Sequence, residues 1–548
     1  MTDPATDQAR PGRVLERIAI PLAVVLIALF ILPLVMTPYL HETLWIADTF
    51  FLANLGWRGV NELTPVLDYP HFYGGVMAAL ATLSMELFGV TIKALDYALI
   101  LAFLGVAVLT VLLLYWRVSL LTAVVLLLLS ASIILPLSAF ERGEVVWPYL
   151  THAFSYNHVA ASLIFAMMGF GLFAPQAMQA DVLGGLAAGV SLYLLFLLKF
   201  TFVIFAPALI LVLLIQKRVW ALAALLVGAA ATMLLFDPGA ERAIGAGAYS
   251  LSLAGDKAGG VTGLIKKVFY LTSRAQFQFA VLFAMAIYVI AMDRRAWAFL
   301  VQAGILFLGY VGAAITMGPE PGLQLAPGTL AMVLLFAEWL RGRRPSQAFA
   351  AQVIGCMLIG VVALAQLGNA WFTTMRGVMA GYKPLVAEGP LSTYVVHGIA
   401  AVDGPDARTR LEQATARVIE IKEAGQAFDE SVEFAILAEG IAMLQGIEGM
   451  SEARIVSNGF MFEFSVPLGA PPVISFPLWA APGSPAFDAD RFARDVDVVM
   501  VADGFENEIN DLVTADVKRM MADDFRACHR SQFWVAYIRK GSRFDCAD

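Results

Sequence analysis

The sequence predicts a polytopic α-helical membrane protein with a C-terminal soluble α+β domain. The chain is 59% hydrophobic and only 15% charged, whereas soluble domains are nearer half apolar and a quarter charged. Between Pro21 and Leu367 the apolar residues recur in runs near the length that a spanning helix requires. Residues 371–548 hold 16 Lys and Arg against 26 Asp and Glu, a net charge of −10. This acidic balance argues against nucleic-acid binding, which needs a basic surface.

The apolar pattern predicts eleven spanning helices. A further helix over 72–88 is amphipathic, and it is not expected to cross the membrane fully. The predicted spans are 18–37, 94–116, 118–139, 157–174, 183–198, 201–216, 219–236, 276–292, 297–316, 327–340 and 348–369.

Basic residues in short loops give the orientation, because Lys and Arg favour the cytoplasmic side. They occur in the N-terminal tail and in three later turns, at 217–218, 294–295 and 341–344. Eleven crossings satisfy all four groups and leave the C-terminal domain outside. The predicted parts are a cytoplasmic tail 1–17, a membrane domain 18–370 with a large first outer loop 38–93, and a periplasmic domain 371–548.

A second assignment fuses 183–216 into one long helix and lets 72–88 cross. It also leaves the C-terminal domain outside. The first assignment is preferred because it places Lys199 in a break between two helices rather than in the bilayer, where a charge is expensive.

Within the C-terminal domain, alternating residues predict strands. One pair is expected over 454–466, turned at Asn458-Gly459, a dipeptide typical of hairpins. Residues 496–501 and 533–539 are further predicted strands, with a helix over 507–525 between them.

Cys528 and Cys546 bracket the last predicted strand. In an oxidising periplasm they could form a disulfide. The sequence does not supply the geometry that would decide between a disulfide and two free thiols.

The first outer loop concentrates residues that can carry chemistry. A membrane helix ends and Glu42 follows at once, with Asp48 at the start of a short amphipathic helix. Asp68 then precedes an aromatic, Pro- and Gly-rich entry into the next helix. Each acid also has a purely structural interpretation, as a helix N-terminal residue for Glu42 and Asp48 or a turn residue for Asp68.

This loop resembles the GT-C superfamily of polyprenyl- or dolichyl-phosphate-sugar transferases, and is most similar to the protein O-mannosyltransferase and lipid A aminoarabinose transferase type. Those enzymes carry an Asp-Glu pair just after the first membrane helix, then a glycine, a Lys-Pro-Pro-type segment and a helix that ends in Phe-Gly. The matching positions here are His41-Glu42, Gly56, His71-Phe72-Tyr73-Gly74-Gly75 and Phe88-Gly89. The resemblance covers residues 15–90 by motif and the rest of the membrane half by topology. Two positions depart from the pattern, since His41 replaces the first acid and His71 replaces the lysine.

The resemblance implies a glycosyltransferase that moves a sugar from a polyprenyl-phosphate donor to a cell-envelope glycan, lipid or protein acceptor. A carboxylate would accept the proton of the attacking hydroxyl or amine, and Glu42 and Asp48 are the catalytic candidates. Cationic or hydrogen-bonding groups would stabilise the charge that develops on the lipid phosphate. The substrate-binding candidates in this loop are His41, Asp68, His71 and Tyr73.

Three more substrate-binding candidates come from the membrane half. Lys199 is a lone lysine between two apolar segments, which marks a functional site by default, although it can also extend to the interface as a membrane anchor. Tyr156 and Asn157 begin a helix behind the second outer loop. They are candidates for binding a sugar, or an ordinary helix cap.

No nucleotide-binding glycine loop occurs, which fits a lipid donor, and neither a cofactor nor a metal is expected. The outer histidines lack the tight spacing of zinc ligands. Two other classes stay open: a membrane transporter or lipid flippase, and a non-catalytic envelope assembly protein. Few charges lie within the predicted spans and no inverted repeat is evident, which disfavours transport. Short loops and an Ala-, Gly- and Arg-rich composition indicate a bacterial inner membrane.

Overall fold

The protein is a bundle of apolar helices followed by a small mixed sheet. The computed structural model describes residues 10–37, 40–42, 46–69, 71, 74–135, 155–175, 177–257, 266, 269–270, 273, 275–293, 296–315, 321–380, 394–396, 416, 433–457, 464–475, 489–502, 521–544 and 546. Six of the described helices are long and apolar enough to cross a membrane. The chain is therefore a polytopic membrane protein, and the number of crossings, eleven, stays a prediction.

A helix occupies each predicted span, and another covers most of the amphipathic segment. The helices of this half are α1 (Arg10–Met36), α2 (Ile46–Val60), α3 (Val76–Phe88), α4 (Ala94–Leu114), α5 (Leu120–Ile134), α6 (Ser155–Leu172), α7 (Met178–Leu198), α8 (Phe205–Ile215), α9 (Val219–Phe236), α10 (Glu241–Lys257), α11 (Gln276–Met292), α12 (Trp297–Ala314), α13 (Pro321–Arg341) and α14 (Pro345–Ala380).

Helix α6 lies in the centre of the bundle, because every one of its residues is buried. Its glycines allow close approach of the neighbouring helices. A Cβ on Gly169 would lie 2.6 Å from a Leu114 methyl group of α4, and one on Gly171 would lie 3.0 Å from Leu306 of α12. Small residues at such crossings allow helices to pack tightly in lipid.

Helices α7 and α9 pack side by side and run parallel. Gly185 of α7 lies against the carbonyl of Ala221, and Gly189, one turn further, lies against that of Leu225. Because the two helices are parallel, the segment that connects the end of α7 to the start of α9 must run back across the bundle. Lys199 ends α7 in an extended conformation, with φ −164° and ψ 126°, and a short 3-10 helix (Phe200–Ile204) and α8 make the return. The break predicted at Lys199 is confirmed, and the single long helix 183–216 is wrong.

One end of the bundle, here called the arginine end, is defined by Arg117, Asp181 and Arg218. The Asp181 carboxylate accepts hydrogen bonds from Arg218 at 2.5 Å and from Arg117 at 3.4 Å. Burial lowers the pKa of Arg117 to about 10 and also lowers that of Arg218, while the Asp181 carboxylate acts in the opposite direction on both. These residues join the end of α4 to the beginnings of α7 and α9.

Other helix termini gather at the same end. Glu338 near the end of α13 accepts hydrogen bonds from the Ser119 amide at 2.9 Å and from the Thr122 hydroxyl at 2.7 Å, and so caps α5. Arg341 pairs with Glu16 of α1 at 3.2 Å. Arginines predicted to face the cytoplasm therefore belong to one end of the bundle.

The C-terminal half contains a four-stranded sheet in the order β3-β4-β6-β5. Its strands are β3 (Ile455–Ser457), β4 (Val498–Ala502), β5 (Phe525–Arg530) and β6 (Trp534–Arg539), and the described helices beside it are α15 (Glu433–Gln445), α16 (Ser465–Leu468) and α17 (Ala489–Asp495). Within this sheet β3 and β4 pair in parallel, and the other two pairings are antiparallel. The two strands predicted at 496–501 and 533–539 are confirmed as β4 and β6.

The first strand of the predicted pair over 454–466 is β3, which pairs with β4. Residues 458–463, with the Asn458-Gly459 turn, lie outside the described residues. Residues 464–466, at the end of the predicted second strand, are not a strand, and 465–468 form α16. The core explains this difference, because Phe464 packs edge-on against the buried Trp534, with ring centroids 5.3 Å apart, and burial of a large aromatic pair outweighs a local strand preference.

A disulfide joins Cys528 of β5 to Cys546, and their Cα atoms are 5.6 Å apart. The sequence left the bond open because spacing along a chain says nothing of the distance between two Cα atoms. That distance is within the range that a disulfide spans.

The C-terminal half contacts the first outer loop at two places. Strand β1 (Leu40–Glu42) pairs in parallel with β2 (Tyr394–Val396). The Trp57 indole of α2 donates a hydrogen bond to the Ala470 carbonyl at 2.9 Å. The loop that carries the candidate acids is thereby attached to the C-terminal half through β1 and through α2.

Candidate functional site

The end of the bundle opposite the arginine end, here called the loop end, is defined by the described residues 61–69, 71 and 74–75 together with Tyr156 and Lys199. The chain enters it through α1 and β1, and Glu42 is the last residue of that strand. Asp48 lies in the first turn of α2. The structure describes the backbone at His41, Glu42 and Asp48, and Tyr73 lies outside the described residues. The roles of these four residues stay predictions.

Asp68 holds the turn that precedes His71. Its Oδ2 atom accepts a hydrogen bond from the Thr64 amide at 2.6 Å, and the Val66 amide donates to the Tyr69 carbonyl at 2.9 Å. A carboxylate that closes a turn in this way is a common structural feature. Asp68 is therefore a turn residue, as its structural interpretation predicted, and its role in substrate binding stays a prediction.

The His71 imidazole is buried between aromatic side chains and is only 3% exposed. It stacks on Phe51 of α2 with ring centroids 5.6 Å apart, and meets Tyr69 edge-on at 6.0 Å. Two rings at different angles fix the plane of the imidazole. A histidine that is held in one orientation can present a nitrogen to a substrate without losing rotamer entropy on binding.

Gly74 brings the His71 segment against the end of α7. A Cβ at this position would lie 2.7 Å from the Cα of Leu197 and 2.9 Å from its carbonyl oxygen. Only a glycine permits so close an approach of two backbones. Leu197 is two residues before Lys199, so the loop with Asp68 and His71 and the break with Lys199 lie side by side.

Lys199 contacts the beginning of the central helix. Its ammonium nitrogen is 5.5 Å from the ring centroid of Tyr156 and 5.8 Å from that of Phe202. A cation over aromatic faces is stabilised electrostatically. The structure therefore brings together Lys199 and Tyr156, which the sequence had identified separately, while Asn157 is fully buried in the same turn of α6.

Three charged residues at this end, Lys93, Asp96 and Arg58, were missed from the sequence. Lys93 and Asp96 form a buried pair at the start of α4, with Nζ and Oδ2 2.5 Å apart, and Lys93 also donates to the Thr37 hydroxyl at 3.1 Å. Arg58 of α2 is 1% exposed, and its guanidinium carbon is 4.4 Å from the ring centroid of Tyr69. The sequence does contain a signal for the first two, because a Lys and an Asp three residues apart at the start of an apolar helix can form an ion pair.

The described part of the loop end thus combines fixed cations with aromatic surfaces. Arg58 and Lys199 lie against aromatic rings, and His71 lies between two others. Such a surface suits an anionic group whose neighbouring atoms are bulky and polar, as in a lipid-linked sugar phosphate. Within the described residues, no three or more His, Cys, Asp and Glu side chains are arranged to hold a metal ion.

Comparison with known proteins returned structural likenesses only. No family model and no curated protein matches the chain. Two crystal structures of ArnT from Cupriavidus metallidurans do, one bound to undecaprenyl phosphate and one in the apo state, each at 15% identity. The first has a TM-score of 0.40 and covers 97% of this chain and 99% of that one. The second has a TM-score of 0.36, with 96% and 98% covered.

At this level of structural similarity, the function of the site has to come from its own residues.

Proposed function

We propose that this protein is an integral-membrane glycosyltransferase that moves a sugar from a polyprenyl-phosphate donor to a cell-envelope acceptor on the periplasmic face. The observation that carries the proposal is the contact of Gly74 with Leu197. It joins the loop that follows the candidate acids to the break that holds Lys199. Residues far apart in sequence thereby meet at one end of the bundle, where a lipid phosphate head group would lie.

Glu42 or Asp48 is the proposed general base. The acceptor hydroxyl or amine attacks the anomeric carbon as the carboxylate takes its proton, and the bond to the carrier phosphate breaks with inversion. Negative charge grows on the departing lipid phosphate during this step. His71 and Lys199 are the groups proposed to stabilise that charge, since preorganised donors at such a position lower the barrier.

The periplasmic location rests on two supports. Arg117, Arg218 and Arg341 gather at the opposite end of the bundle, as expected of the cytoplasmic side. The disulfide between Cys528 and Cys546 belongs to an oxidising compartment. Helix α2, which leads into the loop end, contacts the C-terminal half through Trp57 and Ala470, which supports assigning both to the outer side, in the envelope of a bacterial cell.

The same contacts give the C-terminal half a role in the reaction. It pairs with β1, whose last residue is Glu42, and it packs on α2, whose first turn holds Asp48. We assign to it the positioning of the acceptor next to these acids.

The test is a transfer assay with the purified protein in lipid nanodiscs. Donors would be polyprenyl phosphates that carry a hexose, a pentose or an amino-pentose, and total envelope extract would supply acceptors. Glu42→Gln and Asp48→Asn remove one charge each and keep the side-chain size. We expect one of them to lose at least about a hundredfold in kcat, because general-base catalysis contributes factors of that order.

A matched control is Asp293→Asn, which removes a carboxylate near the opposite end of the bundle, where Asp293 pairs with Arg343 at 3.6 Å. It should retain parental activity. Parental activity in both the Glu42 and the Asp48 variants would remove these two assignments. Absence of transfer by the parent with every donor would overturn the proposed function.

A further inference from the structure

Asn54, in the middle of α2, is a buried amide with neither of its polar atoms satisfied. Its side chain is 0% exposed. Neither Oδ1 nor Nδ2 has a hydrogen-bond partner among the residues that the structure describes. Buried polar groups are nearly always hydrogen-bonded, and an exception commonly marks a place for a ligand or an ordered water. Asn54 therefore has no partner among the described residues, and a ligand is a candidate for that place.

The position of Asn54 on α2 places it at the candidate site. It is three residues after Phe51 and four before Arg58, so all three lie on one face of the helix. Phe51 stacks on His71, and Arg58 lies over Tyr69. Asn54 is thus flanked on both sides by contacts to the segment that presents His71.

A second unsatisfied polar atom lies where α2 meets the C-terminal half. Ser465 is 0% exposed, and its Oγ atom has no partner among the described residues. It begins α16, which packs on α2, and Trp57 bonds to Ala470 five residues further on. A side chain of α2 and a side chain of the helix that packs on α2 thus both lack hydrogen bonds within the described residues.

We propose that Asn54 and Ser465 bind the hydroxyl groups of a sugar, which deepens the proposed function and rests on it. The chemistry of the amide selects this class of ligand. Nδ2–H needs an acceptor and Oδ1 needs a donor, whereas an ionised phosphate only accepts and would leave Oδ1 unsatisfied. A sugar hydroxyl both donates and accepts, and the aromatic rings of Phe51 and Tyr69 supply the apolar walls that such a site requires.

The sugar belongs either to the donor or to the acceptor, and binding measurements separate the two. The probes are undecaprenyl phosphate and the same carrier bearing a hexose, a pentose or an amino-pentose, each titrated into the full-length protein in nanodiscs. The ratio of the two dissociation constants reports the contribution of the sugar alone. Transfer kinetics and thermal unfolding are measured on the same samples.

Asn54→Leu replaces the amide by an apolar group of similar size. We expect it to raise Tm by about 1–3 °C, because an unsatisfied buried amide is removed. A donor-sugar site predicts about a tenfold loss of preference for the sugar-bearing carrier, equivalent to about one lost hydrogen bond. An acceptor-sugar site predicts an unchanged preference and about a tenfold loss of kcat/KM. A stability gain with a functional loss is a result that a merely structural role would not give.

Gln352→Leu is the control, because Gln352 is a buried amide in α14 whose Nε2 atom is also unsatisfied within the described residues. It lies toward the other end of the bundle and should change Tm without changing preference or transfer. If Asn54→Leu does not accumulate, Ser465→Ala removes a single oxygen and should give the same pattern with a smaller loss.

Unchanged preference together with unchanged transfer in the Asn54 and Ser465 variants would overturn the inference and leave a buried water as the partner. A parent that neither prefers a sugar-bearing carrier nor transfers any sugar would overturn it as well. A parent that prefers the sugar-bearing carrier without transferring it would overturn the proposed function alone.

Discussion

Each end of the helix bundle buries an ion pair, but the two ends differ in the other polar groups that they bury. At the arginine end, Asp181 is shared by Arg117 and Arg218, and each guanidinium also donates to helix carbonyls, as Arg117 does to Ala180 at 2.6 Å and Arg218 to Phe170 at 2.7 Å. At the loop end, Lys199 is half-buried against aromatic rings, and Asn54 is buried without a partner among the described residues. The first arrangement stabilises the fold, and the second is the one to which we assign ligand binding.

Asp181→Asn is the largest expected effect on stability. It leaves Arg117 and Arg218 buried without a counter-charge, and breaking a buried ion pair by removing one partner costs about 3–5 kcal/mol. Thermal unfolding in nanodiscs should show the loss, while the dissociation constant of undecaprenyl phosphate stays unchanged for the fraction that is folded. A variant with weakened carrier binding and unchanged unfolding would contradict the division between the two ends.

Asp293→Asn serves as the control for this variant. Its pair with Arg343, at 3.6 Å, is much more exposed. Exposed pairs contribute about 0–1 kcal/mol, so Tm should hardly move.

Lys199→Met should act on binding rather than on stability. It keeps the stem of the side chain and removes the charge, so a charge-assisted hydrogen bond to the carrier phosphate would be lost. We expect about 10–100-fold weaker binding of undecaprenyl phosphate, as the loss of about 1.5–3 kcal/mol implies. Isothermal titration or native mass spectrometry would measure it.

Lys217→Met is the matched substitution at the arginine end, where Lys217 lies in the turn before α9. It should leave carrier binding as in the parent. Equal losses in the Lys199 and Lys217 variants would indicate a general charge effect and remove the assignment of Lys199 as a phosphate-binding residue.

Trp57→Phe is the smallest expected change. It removes the hydrogen bond from the indole to the Ala470 carbonyl, which contributes about 1 kcal/mol. Hydrogen exchange should then become faster at residues 464–475, since the C-terminal half is held less tightly on α2. Trp534→Phe removes a bond of the same kind, to Ile436 at 2.8 Å, inside the C-terminal core. Its effect should centre on 433–445 instead, and equal exchange profiles for the two variants would contradict a separate docking contact.

The helices of the membrane half could be predicted closely from the sequence. Apolar runs near 20 residues long have few alternatives to a helix in lipid, because the bilayer offers backbone groups no other partners. Even the break at Lys199 was predictable, since a charge inside the bilayer is expensive. The C-terminal half was less predictable. There residues 465 and 466, expected at the end of a strand, begin α16 instead, because strand formation depends on which distant residues are buried together.

The candidate site likewise contains some residues that the sequence could suggest and others that it could not. Glu42, Asp48, His71 and Lys199 were identified one by one, from a motif-like order and from the cost of a lone charge. Arg58, Asn54 and Ser465 carried no local signal, since an arginine, an asparagine or a serine in a short amphipathic segment is usually exposed. Their burial follows from the contact of α2 with the segment around His71 and with the C-terminal half.

The sequence by itself determined that this is a multi-pass helical protein with charged and aromatic residues gathered in its first loop. Composition and periodicity suffice for that, because each spanning helix satisfies its own backbone hydrogen bonds within a single segment. Only the tertiary structure decided that Gly74 packs on Leu197, that Asp181 joins two arginines and that Asn54 is left buried and unsatisfied within the described residues. Those contacts join segments far apart in the chain, and no local pattern encodes the distance between them.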